Sequence, residues 1–168
     1  MLDNAKKVAS TAILLAIALV VGIVENSLPS IVPALPFIRL GLSNTIILFS
    51  LVTVGYTRTA VIGIGKSTIV PIFVGNPIMI LYSLPATLIS LTVAYGLLKI
   101  KKLGLVLISA ISAVVHIVIQ LVVAQIATGT PYVWGYLPYL ALTSIVAGAA
   151  TGIVAYLLVA HLPENIVH

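Results

Sequence analysis

The chain contains no cysteine. That excludes a disulfide framework and a thiolate metal site, and it leaves no trace of the redox compartment. Acids are almost as scarce: Asp3, Glu25 and Glu164 are the only three in 168 residues. Charged residues of both signs reach 7%, against about 25% in soluble globular proteins. A water-soluble globule of this size could not cover itself with so little polar surface. What fills the sequence instead is apolar: 61% hydrophobic residues and a mean hydropathy of +1.30. The composition therefore predicts an all-α, polytopic membrane protein, read as one transmembrane domain over residues 1–168 with no soluble ATPase module.

A bilayer core of roughly 30 Å takes about 20 apolar residues per helix. Six spans are expected, at about 8–25, 38–56, 58–75, 77–98, 103–127 and 137–160. The breaks have local causes. "ENSLPSIVPALP" carries Pro29, Pro33 and Pro36 and cannot be regular helix. "GYTR" at 55–58 and "VGNP" at 74–77 read as short turns, and "KIKK" at 99–102 as a charged bend. "TGTPYVWGYLP" reads as a longer loop whose Tyr132, Trp134 and Tyr136 suit a membrane interface. The N-terminal apolar run continues to Val24 and is followed by further spans, so it reads as a retained first helix rather than a signal peptide.

The charges then orient the chain. With the N-terminus inside, Lys6, Lys7, Arg58, Lys99, Lys101 and Lys102 fall in cytoplasmic segments, and Arg39 alone lies outside. This is the positive-inside pattern. It predicts a plasma-membrane protein with both termini cytoplasmic and with the Pro-rich and aromatic loops facing outward.

"AVIGIGKSTIV", residues 60–70, fits a relaxed phosphate-binding loop through Ala60, Gly65, Lys66 and Ser67. That loop needs a preceding strand, a helix N-terminus and a second acid for magnesium. Here it falls inside a hydrophobic span, and no acid follows before Glu164. A nucleotide site is excluded, and the lysine in the membrane needs another reason. Charged side chains inside a span cost roughly 2.5–3.5 kcal/mol on insertion scales and usually mark a site. Glu25, Arg39 and Lys66 are the candidates, and their sum of +1 favours an anionic ligand. Whether Glu25 pairs with Arg39 or with Lys66 stays open. Asn26, Asn44, Asn76, Tyr82, Gln120 and Gln125 all fall in the outer half of their segments. His116 and Gln120 are four apart and share a helix face. This clustering predicts a pocket open to the outside. Two small-residue pairs, Ala12/Ala16 and Gly148/Gly152, each read either as internal packing or as a docking face for another membrane protein.

"RLGLSN" after the Pro-rich loop, a basic residue in the third span and "HIVIQLVVA" in the fifth resemble the Gx transporter family, also labelled heptaprenyl diphosphate synthase component I. That family is similar to the substrate-binding S components of energy-coupling factor transporters. The resemblance implies a six-helix protein that captures a nutrient at its outer face. It also implies partners: a transmembrane T component and two ATPases, with Ala12 and Ala16 matching the AxxxA pattern that meets the T component. Arg39 and Asn44 match the family's R-L-G-L-x-N segment, and His116 and Gln120 its H-N-x-G-Q segment. Ile117 and Ile119 replace the Asn and Gly there.

The expected function is thus substrate capture for an ABC-type importer. The ligand would be a small anionic, isoprenoid-like or vitamin-like nutrient held by Glu25, Arg39, Asn44, Lys66, His116 and Gln120. No cofactor, metal, catalytic residue or nucleic-acid partner is expected. Two alternatives stand beside it. One is a small secondary transporter or channel working without an ATPase, though no convincing repeat relates the two halves. The other is a subunit in prenyl diphosphate synthesis, against which the shortage of aspartates counts.

Overall fold

The computed structural model describes residues 2–28, 42–100 and 102–161. Arg39, the three prolines of the Pro-rich loop and Lys101 lie outside the described residues, as does Glu164. Among the described residues six α-helices follow in order: α1 (Leu2–Ser27), α2 (Asn44–Thr53), α3 (Tyr56–Phe73), α4 (Met79–Leu98), α5 (Leu105–Thr128) and α6 (Leu137–Ala160). A single 3₁₀ turn, Pro131–Tyr136, joins α5 to α6.

The expected breaks have identifiable backbone chemistry. Gly55, Gly75 and Gly129 take positive φ of 84°, 77° and 68° where the chain reverses after α2, α3 and α5, a region costly for side chains with a Cβ. In the aromatic segment, Thr130 caps the 3₁₀ turn by accepting from the Tyr132 N–H. Trp134 Nε1 then donates to Gln125 Oε1 at 2.6 Å, tying the turn back to α5.

Four segments are long and apolar enough to cross a membrane: Ala5–Ser27, Met79–Leu98, Leu105–Thr128 and Pro131–Ala160. The chain is therefore a multi-pass membrane protein. Of the six spans expected, four meet that measure among the described residues. α2 has 10 residues, about 15 Å at 1.5 Å per residue, half of a bilayer core. α3 has 18 residues but includes Arg58 and Lys66, which lower its hydropathy. The "AVIGIGKSTIV" stretch is continuous α3 helix, so no phosphate-binding loop exists there.

α1, α3, α4, α5 and α6 pack successively on one another, and α2 packs against α6, α3, α1 and α4. Large apolar side chains face outward, among them Val20, Val24, Ile126, Leu142 and Val146, while Glu25, Lys66, His116 and Gln120 are buried. That inside-out distribution suits lipid as solvent. One apolar core gathers Ile47, Leu48, Leu51, Ile62, Leu91 and Ile108. A second lies under the aromatic turn, with Tyr82, Ile117, Leu121, Val133 and Leu140.

The two small-residue patterns separate here. A Cβ on Gly148 would lie 2.8 Å from both Ala110 Cα and Ala113 Cβ, and one on Gly152 would lie 2.8 Å from Val106 Cα. This pair is internal packing that lets α5 and α6 touch backbone to backbone. Ala12 and Ala16 are instead exposed on α1. Gly148→Val should push α6 off α5 and cost about 1–3 kcal/mol. Gly96→Ala, at a position with open space around it, should leave stability unchanged or raised. Thermal unfolding of both variants in detergent checks the contrast.

Candidate functional site

Glu25 sits in the last turn of α1, and its carboxylate is turned toward the start of α2. Its Oε2 accepts from the Ser43 backbone N–H at 3.1 Å and from Ser43 Oγ at 3.0 Å. α2 has no side-chain cap of its own. The carboxylate reaching over from α1 therefore serves as its N-terminal anion, where unpaired N–H groups and the helix dipole favour negative charge.

Lys66 comes from the middle of α3 and is 6% exposed. Its Nζ donates to Asn44 Oδ1 at 3.0 Å, and it lies within electrostatic reach of Glu25. Its side chain is buried within the bundle rather than extended to the protein's surface. The first residues of α2 thus serve both charges: Ser43 holds the carboxylate, and Asn44 the ammonium.

From α5, His116 and Gln120 complete the set. One helical turn apart, they touch each other, Gln120 Nε2 to His116 Nε2 at 3.3 Å. His116 Nδ1 faces Ser90 Oγ of α4 at 3.4 Å. Ser67 Oγ donates to Thr87 Oγ1 at 2.9 Å and ties α3 to α4 beside the site.

These groups surround one cavity of about 40 Å³, lined by Glu25, Asn26, Ser43, Lys66, His116 and Gln120. Val70, Pro71 and Met79 supply apolar wall. A Cβ on Gly22 would come within 2.9 Å of Val70 Cγ2, so the glycine brings α1 and α3 close enough to shut the cavity on that side. A second cavity of about 30 Å³ adjoins it, lined by Ile47, Leu48, Leu51 and Leu91 together with Ser90, Ser109 and Asn44. The Asn44–Lys66 and Ser90–His116 contacts form the partition between the two.

Of the six residues expected to form the site, Glu25, Lys66, His116 and Gln120 converge on the polar cavity. Asn44 lines the neighbouring cavity and reaches this one through Lys66. Arg39 lies outside the described residues. Asn76, Tyr82 and Gln125 do not line the cavity; Tyr82 belongs to the second apolar core and Gln125 holds Trp134. Three polar members, Asn26, Ser43 and Ser83, were not singled out from sequence. Asn26 was legible only as one of several outer amides. Ser43 was legible only as a small polar residue at a helix start.

A family model described as heptaprenyl diphosphate synthase component I matches residues 14–158. The chain belongs to that family. Neither the curated proteins nor the solved structures contain a match. The matched stretch holds every residue of the polar cavity, whereas Ala12 precedes it. The family's description names one component of a multi-subunit assembly. It also implies magnesium-dependent diphosphate chemistry, and the cavity does not fit that. Among the described residues no three His, Cys, Asp or Glu side chains gather in a metal-holding group. The single carboxylate in the cavity wall is already engaged by Ser43. Magnesium on a diphosphate takes several oxygen ligands, typically from carboxylates and phosphates together.

Removing one partner of a buried charge pair typically costs about 3–5 kcal/mol, whereas removing both is far milder. Glu25→Gln and Lys66→Met should each lower the unfolding temperature in detergent. The double variant should recover most of the loss, with a coupling of about 1–3 kcal/mol. Strictly additive losses in that cycle would separate the two residues.

Proposed function

We propose that the chain is the membrane-embedded substrate-binding subunit of an energy-coupling factor type importer. It captures a small nutrient from the outer face of the plasma membrane, with both termini cytoplasmic. The observation that carries this reading is the convergence of Glu25, Lys66, His116 and Gln120, from three different helices, on one polar cavity in an otherwise apolar bundle. Polar groups held within a membrane protein mark ligand or ion sites by default. A nutrient of anionic, isoprenoid-like or vitamin-like type would place its polar end there. Its apolar part would use the neighbouring cavity walled by Ile47, Leu48, Leu51 and Leu91.

Two further features support a partner rather than self-sufficient transport. Ala12 and Ala16 are exposed on α1, so a second membrane protein could approach the helix backbone closely. Beside them a groove of about 400 Å³ runs between the first half of α1 and the start of α3, bounded by Lys7, Thr11, Ala12, Leu15 and Arg58. In this reading a transmembrane T component occupies that face. Two ATPases supply energy from the cytoplasmic side.

The family description favours a second reading, a non-catalytic subunit in prenyl diphosphate synthesis. Catalysis by this chain itself is not part of either reading, because three acids in the whole sequence cannot assemble a magnesium-diphosphate site.

Co-expression with candidate T-component and ATPase subunits distinguishes the two. The wild-type chain should co-purify with them, and ATP should drive nutrient uptake into proteoliposomes only when all are present. Ala12→Trp with Ala16→Trp should abolish co-purification while leaving the melting temperature of the chain unchanged. Uptake by the chain alone under an ion gradient would instead make it a secondary transporter. Stimulation of prenyl-chain elongation from labelled isopentenyl diphosphate would favour the second reading.

A further inference from the structure

The groove of about 400 Å³ beside α1 has a shape set by where α1 and α3 touch. A Cβ on Gly65 would come within 2.9 Å of Leu15 Cδ1, and one on Gly22 within 2.9 Å of Val70 Cγ2. The two helices therefore run side by side in the same direction and are in close contact from Leu15 onward. Leu15 lines the inner end of the groove, and Lys7 lies at its other end. At 1.5 Å per residue that is a length of about 12 Å.

Ala12, Leu15 and Val61 make the inner wall apolar. Thr11 adds little polarity, because its hydroxyl donates to the Lys7 carbonyl at 2.8 Å. Charge gathers at one end, where Lys7 comes from α1 and Arg58 from the first turn of α3, with the Thr57 hydroxyl beside them. No acid lines the groove among the described residues. Arg58 is half-buried, and no hydrogen bond or ion pair engages its guanidinium. Its five N–H bonds suit the oxygens of a phosphate.

The membrane level of that end is marked separately. Tyr56, two residues before Arg58, donates from its hydroxyl to Thr92 Oγ1 at 3.0 Å, the Thr92 proton going to the Leu88 carbonyl. Its ring lies 4.9 Å from that of Tyr95, and Lys99 Nζ stands 4.5 Å over the Tyr95 ring. Tyrosines with a lysine belong at the level of lipid headgroups. The groove thus runs from headgroup level at Arg58 toward the hydrocarbon at Leu15, cationic at the first and apolar at the second.

We propose that this groove holds one anionic phospholipid, its phosphate on Arg58 with Lys7 beside it and an acyl chain along Ala12, Leu15 and Val61. Basic pockets between membrane helices take anionic headgroups in this way. A neighbouring protein helix would fill the apolar length but would also have to bring an acid to the Arg58 end. The inference does not depend on the capture reading: a T component approaching Ala12 and Ala16 would meet a groove already filled.

Native mass spectrometry of the full chain in detergent tests it, with phosphatidylglycerol and phosphatidylcholine of the same acyl chains titrated in turn. One phosphatidylglycerol should be retained, about tenfold more tightly than phosphatidylcholine. Arg58→Gln should remove the preference. Val61→Trp should block the groove and lose the bound lipid with both cations in place. Lys99→Gln with Lys102→Gln, at the same membrane level but outside the groove, should keep the preference. Equal retention of the two lipids overturns the inference, as does an equal loss in the Lys99/Lys102 variant, which would mean general surface charge. It is also overturned if Val61→Trp leaves lipid retention unchanged but stops co-purification with a T component, which would give the groove to a protein.

Discussion

A lysine ammonium and a glutamate carboxylate share the inside of an apolar bundle, and the placing of three helices depends on keeping both in hydrogen-bonded company. Glu25 closes α1, Lys66 comes from the centre of α3, and the start of α2 lies between them. An ion in such surroundings is tolerated only with partners. Ser43 and Asn44 provide them, because α2 begins beside the cavity. The short α2, 10 residues long, is thus a consequence of the site. A longer helix starting further out would carry its free N–H groups away from the Glu25 carboxylate.

That consequence explains where sequence reading succeeded and where it stopped. The turns at Gly55, Gly75 and Gly129 were legible because each reversal demands a backbone state that glycine adopts freely. The pairing of His116 with Gln120 was legible because helical spacing alone places them together. The length of α2 was not legible, since hydropathy counts apolar residues without sensing what the helix end must bond. Asn44 looked like a ligand group in sequence and proves to be first a partner of Lys66. Ser43 had no signal beyond a small hydroxyl. The two small-residue pairs looked alike because period fixes which residues share a face, not what that face meets. Gly148 and Gly152 meet α5, while Ala12 and Ala16 are exposed.

Stability alone gives a poor account of the polar cavity. Replacing a buried ion pair with apolar side chains of similar volume is often neutral or stabilising. Interhelical hydrogen bonds in membrane proteins are worth only around 0.6 kcal/mol on average. The two apolar cores already fill the space on either side of the polar set. A bundle selected for packing would continue those cores through positions 66, 116 and 120. The charged pair and two unpartnered amide oxygens, Asn26 Oδ1 and Gln120 Oε1, are retained at a cost in folding free energy. On the capture reading, binding of a complementary group recovers it.

The same accounting bears on how work is divided. A site that recovers its desolvation cost by binding holds its ligand well and releases it reluctantly, because release exposes the same unpaired groups again. Release on a useful timescale then requires a second conformation in which those groups find other partners or water. The partition formed by Asn44–Lys66 and Ser90–His116 is where such a change has the most leverage: each contact couples a wall of the polar cavity to the cavity beyond it. The stretch around Lys66 is continuous α3 helix and forms no nucleotide loop. On the capture reading the energy arrives through contact with another protein, and the exposed Ala12 and Ala16 face on α1, packed behind against α3 and its lysine, is suited to transmit it.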